Sequence, residues 1–159
     1  MSVLEAFCGT AVFYDVNLRQ LYWSGPLVEA GLARATLVKV NDEEARVLGK
    51  LLFGGACEPE AFARAVLARC AARAVIVTLG GEGCVVCERG KAAVRCPGKK
   101  VEVVDAVGAG DAFSAAFLTA WLSGASAAEA AEAGNARGAW VASQRGAVPE
   151  EGGPPVARM

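Results

Sequence analysis

The sequence contains no histidine, no strongly basic run and no apolar run long enough to span a membrane. Its formal net charge is −1, so it lacks the electrostatic pattern of a protein that binds nucleic acid or anionic membranes. No cationic segment with an apolar core and a cleavage site opens the chain. We therefore expect a cytoplasmic protein in which any anionic ligand is held locally.

Six cysteines are present, but there is only one Cys-x-x-Cys pair, and no histidine could complete a zinc site. That pair, Cys84 and Cys87, lies in an apolar stretch, where the odd spacing puts the two side chains on opposite faces of a strand. The pattern favours reduced, mostly buried thiols over disulfides or a bound metal.

Apolar residues are abundant, at 54%, and are accompanied by 19 glycines. This composition is typical of tightly layered helices and strands, and 159 residues is the length of one domain. Apolar β-rich runs alternate with helical stretches, which predicts an α/β fold with a mostly parallel sheet. Strands are predicted at Ala11–Tyr14, Thr36–Val40 and Ala74–Leu79, and helices at Pro26–Arg34, Asp42–Leu52 and Pro59–Ala72.

The second half of the sequence predicts an antiparallel section nearer a sheet edge, followed by two helices. The strands are predicted at Cys84–Glu88, Ala92–Arg95 and Val101–Val104, and the Ala-rich helices at Asp111–Leu122 and Ala127–Ser143. No internal linker is evident, so residues 1–150 are predicted to form one domain, and residues 151–159 a loose tail.

The segment Asp105-Ala106-Val107-Gly108-Ala109-Gly110-Asp111 joins a predicted strand to a predicted helix. At a helix amino terminus, free N–H groups and the helix dipole favour an anion, and glycines let it approach the backbone. Asp111 beside such a cradle could take a proton from a hydroxyl that attacks a phosphoryl group. Alternatively, Asp111 only complements the helix dipole and the glycines only form a tight turn.

This segment resembles the Asp-Thr-x-Gly-Ala-Gly-Asp signature of the ribokinase-like (PfkB) carbohydrate kinases, including the Ala-Phe that follows it. The resemblance implies ATP-dependent phosphoryl transfer to a sugar hydroxyl. It also implies that Asp111 is the catalytic base and that Gly108-Ala109-Gly110 forms the anion hole.

Two positions near this signature bear on the cation and on activity. In some family members, carbonyl groups of a later loop, here near Gly146, hold a monovalent cation such as K⁺ together with the residue at Asp105. Ala106 stands where the family usually has threonine, so a hydroxyl near the phosphates is missing, and reduced activity is an expectation.

A second patch, Lys39-Val40-Asn41-Asp42-Glu43-Glu44, resembles the family's Asn-x-x-Glu motif. The resemblance implies that Glu44 helps to organise Mg²⁺ indirectly, through the water that this ion retains. The structural alternative is a variant of the capping box, with Asn41 as N-cap and Glu44 at the third helical position.

A third patch, Tyr14-Asp15-Val16-Asn17-Leu18-Arg19, resembles the Asp-x-Asn-x-Arg stretch of fructokinase-like and 2-keto-3-deoxygluconate-kinase-like members. It follows a predicted strand, at the end where open α/β sheets bind ligands. The resemblance implies phosphate or substrate contacts for Asn17 and Arg19. A polar turn would explain Asp15 and Asn17 without any function.

Two further patches resemble the family's nucleotide-binding segments. Thr78, Gly80 and Gly83 match a Thr-x-Gly-x-x-Gly loop, for which a hairpin turn is the alternative. Asn135 matches an asparagine beside the nucleotide in the family's closing segment, and is otherwise an ordinary polar residue within a helix.

The five patches occur in the family's order and are spread along nearly all of residues 11–149. The resemblance implies a ribokinase-like three-layer α/β/α fold that is truncated at the amino terminus, where the strands and helices of most of the sugar pocket have no counterpart. We expect a homodimer, or the missing amino-terminal half, to cover the sheet surface that this exposes.

The leading functional hypothesis is a fructokinase-like carbohydrate kinase that uses ATP and Mg²⁺ on a small sugar or sugar acid. The alternative is a non-catalytic nucleotide-binding fragment that lacks the sugar-binding half. A nucleoside or vitamin kinase of the same superfamily stays open. A dinucleotide-binding oxidoreductase is disfavoured, because no Gly-x-Gly-x-x-Gly follows the first strand.

Overall fold

The computed structural model describes residues 11–20, 22–55, 58–149 and 152–154. Cys8, Cys57 and most of the predicted tail lie outside these residues. The strands are β1 Phe13–Asp15, β2 Leu37–Asn41, β3 Ala74–Thr78, β4 Gly83–Glu88 and β5 Val94–Pro97. The helices are α1 Gly25–Arg34, α2 Asp42–Leu52, α3 Pro59–Arg69, α4 Ala109–Leu122 and α5 Ala127–Ala142.

The strands follow one another in the sheet in chain order, β1 to β5. The first three are parallel, as predicted, with Val38 of β2 lying between Tyr14 and Val75 of its neighbours. The next strand turns back on β3, because the N–H of Leu79 donates to Gly83 O at 2.8 Å and the N–H of Arg89 donates to Arg73 O at 2.9 Å. The sheet is therefore mostly parallel with an antiparallel end.

The chain divides into two compact units, which no linker in the sequence marks. The first comprises Met1–Thr78 and Val85–Ala93, and the second comprises Leu79–Cys84 and Val94–Met159. In the first, β2 and β3 are almost wholly buried, as expected for parallel strands that are covered on both faces. Helix α3, in which Phe62 and Val66 are buried, contacts β3.

The second unit is built around the contact between α4 and α5. Phe113 and Phe117 stack with their ring centroids 5.9 Å apart. Gly134 of α5 lies so close to them that a Cβ there would be 2.8 Å from the Phe113 ring. A side chain at this position would therefore push the two helices apart.

The observed helix starts agree closely with the predicted ones where a side-chain cap is present. Asn41 and Glu44 form the capping box that is the structural alternative for this patch, and α2 has its predicted bounds. Ser126 and Glu129 form a second capping box at α5. Within the residues that the structure describes, no helix is long and apolar enough to cross a membrane.

Some predicted elements need correction. The strand predicted at Ala92–Arg95 lies two residues later, at Val94–Pro97. The strand predicted at Val101–Val104 is absent, because the N–H groups of Val104 and Asp105 donate instead to Ala142 O, at the end of α5. The helix predicted from Asp111 begins at Ala109, which makes Asp111 a residue of the first turn.

The helix predicted to reach Ala72 ends at Arg69. The guanidinium group of Arg89 donates to the carbonyl oxygens of Leu67, at 2.6 Å, and of Ala72, at 3.1 Å. A long-range side chain thus binds carbonyl groups where the helix stops.

Candidate functional site

The glycine-rich turn leads directly into α4. Gly108 is the N-cap and has a left-handed backbone with φ 81°, which glycine adopts at little cost. The N–H of Ala109 donates to Ala106 O at 3.2 Å, and that of Ala112 donates to Gly108 O at 2.9 Å. Among the described residues, the intervening N–H groups of Gly110 and Asp111 have no backbone acceptor outside the helix.

These two N–H groups belong to the first turn of a 14-residue helix. The first-turn N–H groups of a helix have no acceptor within the helix, and the positive end of the helix dipole lies there. The turn therefore offers two backbone donors at the positive end of the helix, and anion binding by them stays a prediction. The side chain of Asp111 is exposed in the same turn.

Asp105 holds this turn in place with both carboxylate oxygens. Oδ1 accepts the N–H of Val107 at 3.0 Å, and Oδ2 accepts the N–H of Gly146 at 3.2 Å. The structure thus links Asp105 to the loop that the family resemblance assigned to a monovalent cation. The cation itself remains a prediction.

A second cluster of predicted residues lies in the first unit and centres on Glu44. Its carboxylate is buried, with Oε1 accepting the N–H of Leu18 at 2.8 Å and Oε2 accepting the N–H of Asn41 at 2.8 Å. Asn41 Oδ1 in turn accepts the N–H of Glu44 at 2.8 Å. Glu44 thus joins the start of α2 to the segment that contains Asn17 and Arg19.

Asn17 and Arg19 are exposed and contact each other, with Arg19 Nε donating to Asn17 Oδ1 at 3.1 Å. Asn17 has a left-handed backbone with φ 48°, a conformation that asparagine tolerates in turns. Both residues line a cavity of about 600 Å³ beside β1, together with Tyr14 and Trp23. The structure therefore places a cation and an amide at the edge of a largely apolar cavity.

Lys39 also belongs to this cluster, although it is not among the predicted site residues. It is only 7% exposed, and its Nζ lies 2.7 Å from Asp15 Oδ2. Its carbonyl oxygen also accepts the N–H of Val16 at 3.0 Å. The available signal was a charged residue inside the apolar run Leu37-Val38-Lys39-Val40, because a buried lysine needs a partner.

The predicted nucleotide-binding residues fall in both units. Thr78 ends β3 and donates to Val40 O at 3.4 Å. In the second unit, Gly83 lies so close to Cys96 that a Cβ would overlap its carbonyl group. Asn135 is buried, and its Nδ2 donates to Cys96 O and Pro97 O at 3.2 Å each. Gly83 and Asn135 thus both contact the segment that contains Cys96 and Pro97.

Gly80 differs from these residues because the space beside its backbone is unoccupied. Its backbone is left-handed, with φ 56°, and no atom lies within 4 Å of where its Cβ would be. The adjacent Gly81 is open in the same way. Space of this kind beside the backbone is what a nucleotide-binding loop requires, although an exposed turn has it too.

An α/β sheet with a glycine-rich anion cradle at a helix amino terminus is typical of phosphate-binding α/β proteins. Comparison with known proteins defines the group further. The family model described as "pfkB family carbohydrate kinase" matches residues 1–151. The chain belongs to this family, as the sequence predicted.

Two curated relatives illustrate the similarity. The chain is 34% identical to a fructokinase of Escherichia coli over 116 residues, which are 70% of this chain and 36% of the relative. It is 30% identical to the 2-dehydro-3-deoxygluconokinase of Escherichia coli strain K12 over 150 residues, which are 88% of this chain and 46% of the relative. The chain thus spans less than half the length of these kinases.

Solved structures confirm the ribokinase-like fold. A ribokinase from Thermotoga maritima superposes with a TM-score of 0.74 at 27% identity, covering 91% of this chain and 46% of that one. An aminoimidazole riboside kinase from Salmonella enterica, complexed with aminoimidazole riboside and an ATP analogue, superposes with a TM-score of 0.70 at 29% identity. The superposition covers 91% of this chain and 49% of the riboside kinase chain.

Proposed function

We propose that this chain is the ATP-binding and catalytic-base part of a carbohydrate kinase. The observation that carries the proposal is the turn from Asp105 to Asp111. It presents the N–H groups of Gly110 and Asp111 at the positive end of α4, with a carboxylate beside them. Bound ATP supplies the phosphoryl group that is transferred to a sugar hydroxyl.

In this proposal the N–H groups of Gly110 and Asp111 bind phosphate oxygens and stabilise the charge that develops on them during transfer. Asp111 accepts the proton of the attacking hydroxyl group. Asp105 fixes the turn by its hydrogen bonds to Val107 and Gly146. The positions of the N–H donors are therefore set before the ligand arrives.

The residues present fit Mg²⁺ through water better than by direct coordination. Each oxygen of Glu44 already accepts one backbone N–H, and its remaining lone pairs can accept hydrogen bonds from metal-bound water. No group of three or more carboxylates or thiols suited to a metal occurs among the described residues. Mg²⁺ would therefore be held mainly by the nucleotide phosphates.

We propose a sugar or a sugar acid as acceptor, because the relatives include a fructokinase and a 2-dehydro-3-deoxygluconokinase. Arg19 and Asn17 beside the apolar cavity suit a hydroxylated ligand with an anionic group. A second candidate is nucleotide binding without catalysis. It is favoured by Ala106, which stands in place of the family's threonine.

The test is ADP release by the purified chain with Mg·ATP, measured over a panel of fructose, 2-keto-3-deoxygluconate and ribose. We expect sugar-dependent release that Asp111→Asn abolishes while ATP binding remains. Glu43→Gln is the matched control, because Glu43 is an exposed acid in the first turn of α2. ATP binding without release would favour the second candidate, and absence of binding would contradict both.

A further inference from the structure

Two cysteines of the second unit face each other on neighbouring strands. The N–H of Gly98 donates to Glu82 O at 3.0 Å, and β4 and β5 are adjacent and joined by a short connection. Such a connection makes the pair antiparallel, because parallel strands need a long crossover. In this register Glu82 lies opposite Gly98. Moving two residues along each strand puts Cys84 directly opposite Cys96.

Residues that are opposite in an antiparallel pair point to the same face of the sheet. In a hydrogen-bonded pair their Cα atoms are about 5.5 Å apart, which is inside the range of about 4.4–6.8 Å found in disulfides. Both cysteines are free thiols in this structure. The register therefore puts the Cα atoms of two reduced cysteines within the range found in disulfides.

The surroundings give the two thiols different properties. Cys84 is fully buried, whereas Cys96 is partly exposed. Burial, and secondarily the nearby Cys96, raises the pKa of the Cys84 thiol to about 12, although a hydrogen bond from Asn135 opposes this. Cys84 therefore keeps its proton, and Cys96 is the sulfur that a reagent in solvent meets first.

The Cys-x-x-Cys motif in the sequence is not this pair. Cys87 is three residues from Cys84 on the same strand, so the two side chains point to opposite faces. Burial raises the pKa of the Cys87 thiol, with smaller opposing effects from Arg64 and Glu60 of α3, whereas Asn135 of α5 hydrogen-bonds Cys84. The spatial partner of Cys84 is therefore Cys96.

We propose that Cys84 and Cys96 are a redox-active dithiol, which a low-molecular-weight disulfide converts into an intramolecular disulfide. The Cys96 thiolate attacks one sulfur of the reagent, forms a mixed disulfide and releases one thiol. Cys84 then attacks the Cys96 sulfur and passes its proton to the departing thiolate, which forms the internal bond and releases the second thiol. Two protein thiols are oxidised and one external disulfide is reduced.

The strand geometry indicates how stable this bond is. Opposite Cβ atoms in an antiparallel pair are about 4.5–5.5 Å apart, whereas a disulfide needs about 3.5–4.5 Å. One strand must therefore move, and β5 is a four-residue strand at the end of the sheet order. The resulting bond is strained, so an excess of free thiol should reduce it readily.

The experiment treats the chain with oxidised glutathione, blocks the remaining thiols and maps the products after trypsin digestion. Cleavage at Arg73, Arg89, Arg95 and Lys99 separates the residues into distinct peptides. Cys84 and Cys87 then lie in residues 74–89, and Cys96 lies in residues 96–99. We expect these two peptides to be joined in a product that excess dithiothreitol separates, with both thiols of the pair lost together.

Substitutions identify the sulfur atoms. Cys87→Ser is the matched control and should leave the cross-link intact, whereas Cys84→Ser should stop the reaction at a glutathione adduct on Cys96. Because Cys84→Ser places a hydroxyl group in a buried site, fragmentation of the wild-type cross-linked peptides gives the same assignment without any variant. A link to Cys87, a glutathione adduct that never closes, or unmodified thiols would each overturn the proposal.

Discussion

Replacing Glu44 with alanine should destabilise the first unit more than any other change to the acidic start of α2. The substitution removes the acceptors of the N–H groups of Leu18 and Asn41, each at 2.8 Å, and the second of these bonds is one half of the capping box. A hydrogen bond to a charged group is worth about 1.5–3 kcal/mol. Because these groups are partly buried and water can replace part of the contact, we expect a total loss of about 2–4 kcal/mol.

The matched control is Glu43→Ala. Glu43 occupies the same first turn but is exposed, so its loss removes only an interaction with the helix dipole, worth about 0.3–1 kcal/mol. Glu44→Gln keeps one acceptor oxygen but turns an amide donor towards the second N–H. We therefore expect a stability between those of the wild type and Glu44→Ala.

Urea denaturation followed by tryptophan fluorescence measures the loss, and amide hydrogen exchange localises it. Exchange at the Leu18 N–H should accelerate in Glu44→Ala but not in Glu43→Ala, because only Glu44 accepts that hydrogen. Equal stabilities of the two alanine variants, with unchanged exchange at Leu18, would refute the claim that Glu44 holds the Leu18 segment against the start of α2.

Further perturbations have similarly defined outcomes. Gly31→Ala places a Cβ 2.6 Å from the Tyr14 ring and should cost about 1–3 kcal/mol, part of which Tyr14→Leu should restore in a double-mutant cycle. Arg89→Ala removes side-chain donors from the end of α3 and should cost about 1–3 kcal/mol in urea denaturation, whereas exposed Arg95→Ala should change little. Burial raises the pKa of the Cys84 thiol from 9.0 to about 12. The stability that the buried, protonated thiol contributes is therefore complete below pH 9 and is lost as pH rises towards 12. Over that interval, Cys84→Ala should lose less stability than the wild type.

The sequence predicted best those elements whose determinants are local. Helix α2 has its predicted bounds because Asn41 and Glu44 cap each other within one turn. The start of α4 was placed two residues late, at Asp111 instead of Ala109, because the N-cap of this helix is Gly108. A left-handed glycine at an N-cap gives no side-chain signal of the kind that serine or aspartate gives.

The elements that the sequence placed wrongly depend on distant contacts. Val101–Val104 has strong β propensity, but its end bonds to Ala142 of α5 instead of to a neighbouring strand. Helix α3 ends where Arg89 binds its carbonyl groups. Neither partner is adjacent in sequence, so no local pattern could reveal the contact.

The candidate site shows the same division. The turn from Asp105 to Asp111 was identifiable because glycines, an acid and a helix start are contiguous in sequence. The ion pair of Lys39 with Asp15 joins two strands that are 24 residues apart. Its identification needed the parallel pairing of β1 and β2.

The most direct test of the central claim is a titration of Mg·ATP into the ¹⁵N-labelled chain, observed residue by residue through amide chemical shifts. If the turn before α4 is the phosphate cradle, the resonances of Gly110 and Asp111 should shift with a common, saturable dependence on concentration. Inorganic phosphate should move the same two resonances more weakly. Saturable binding that leaves both resonances unchanged would contradict the account.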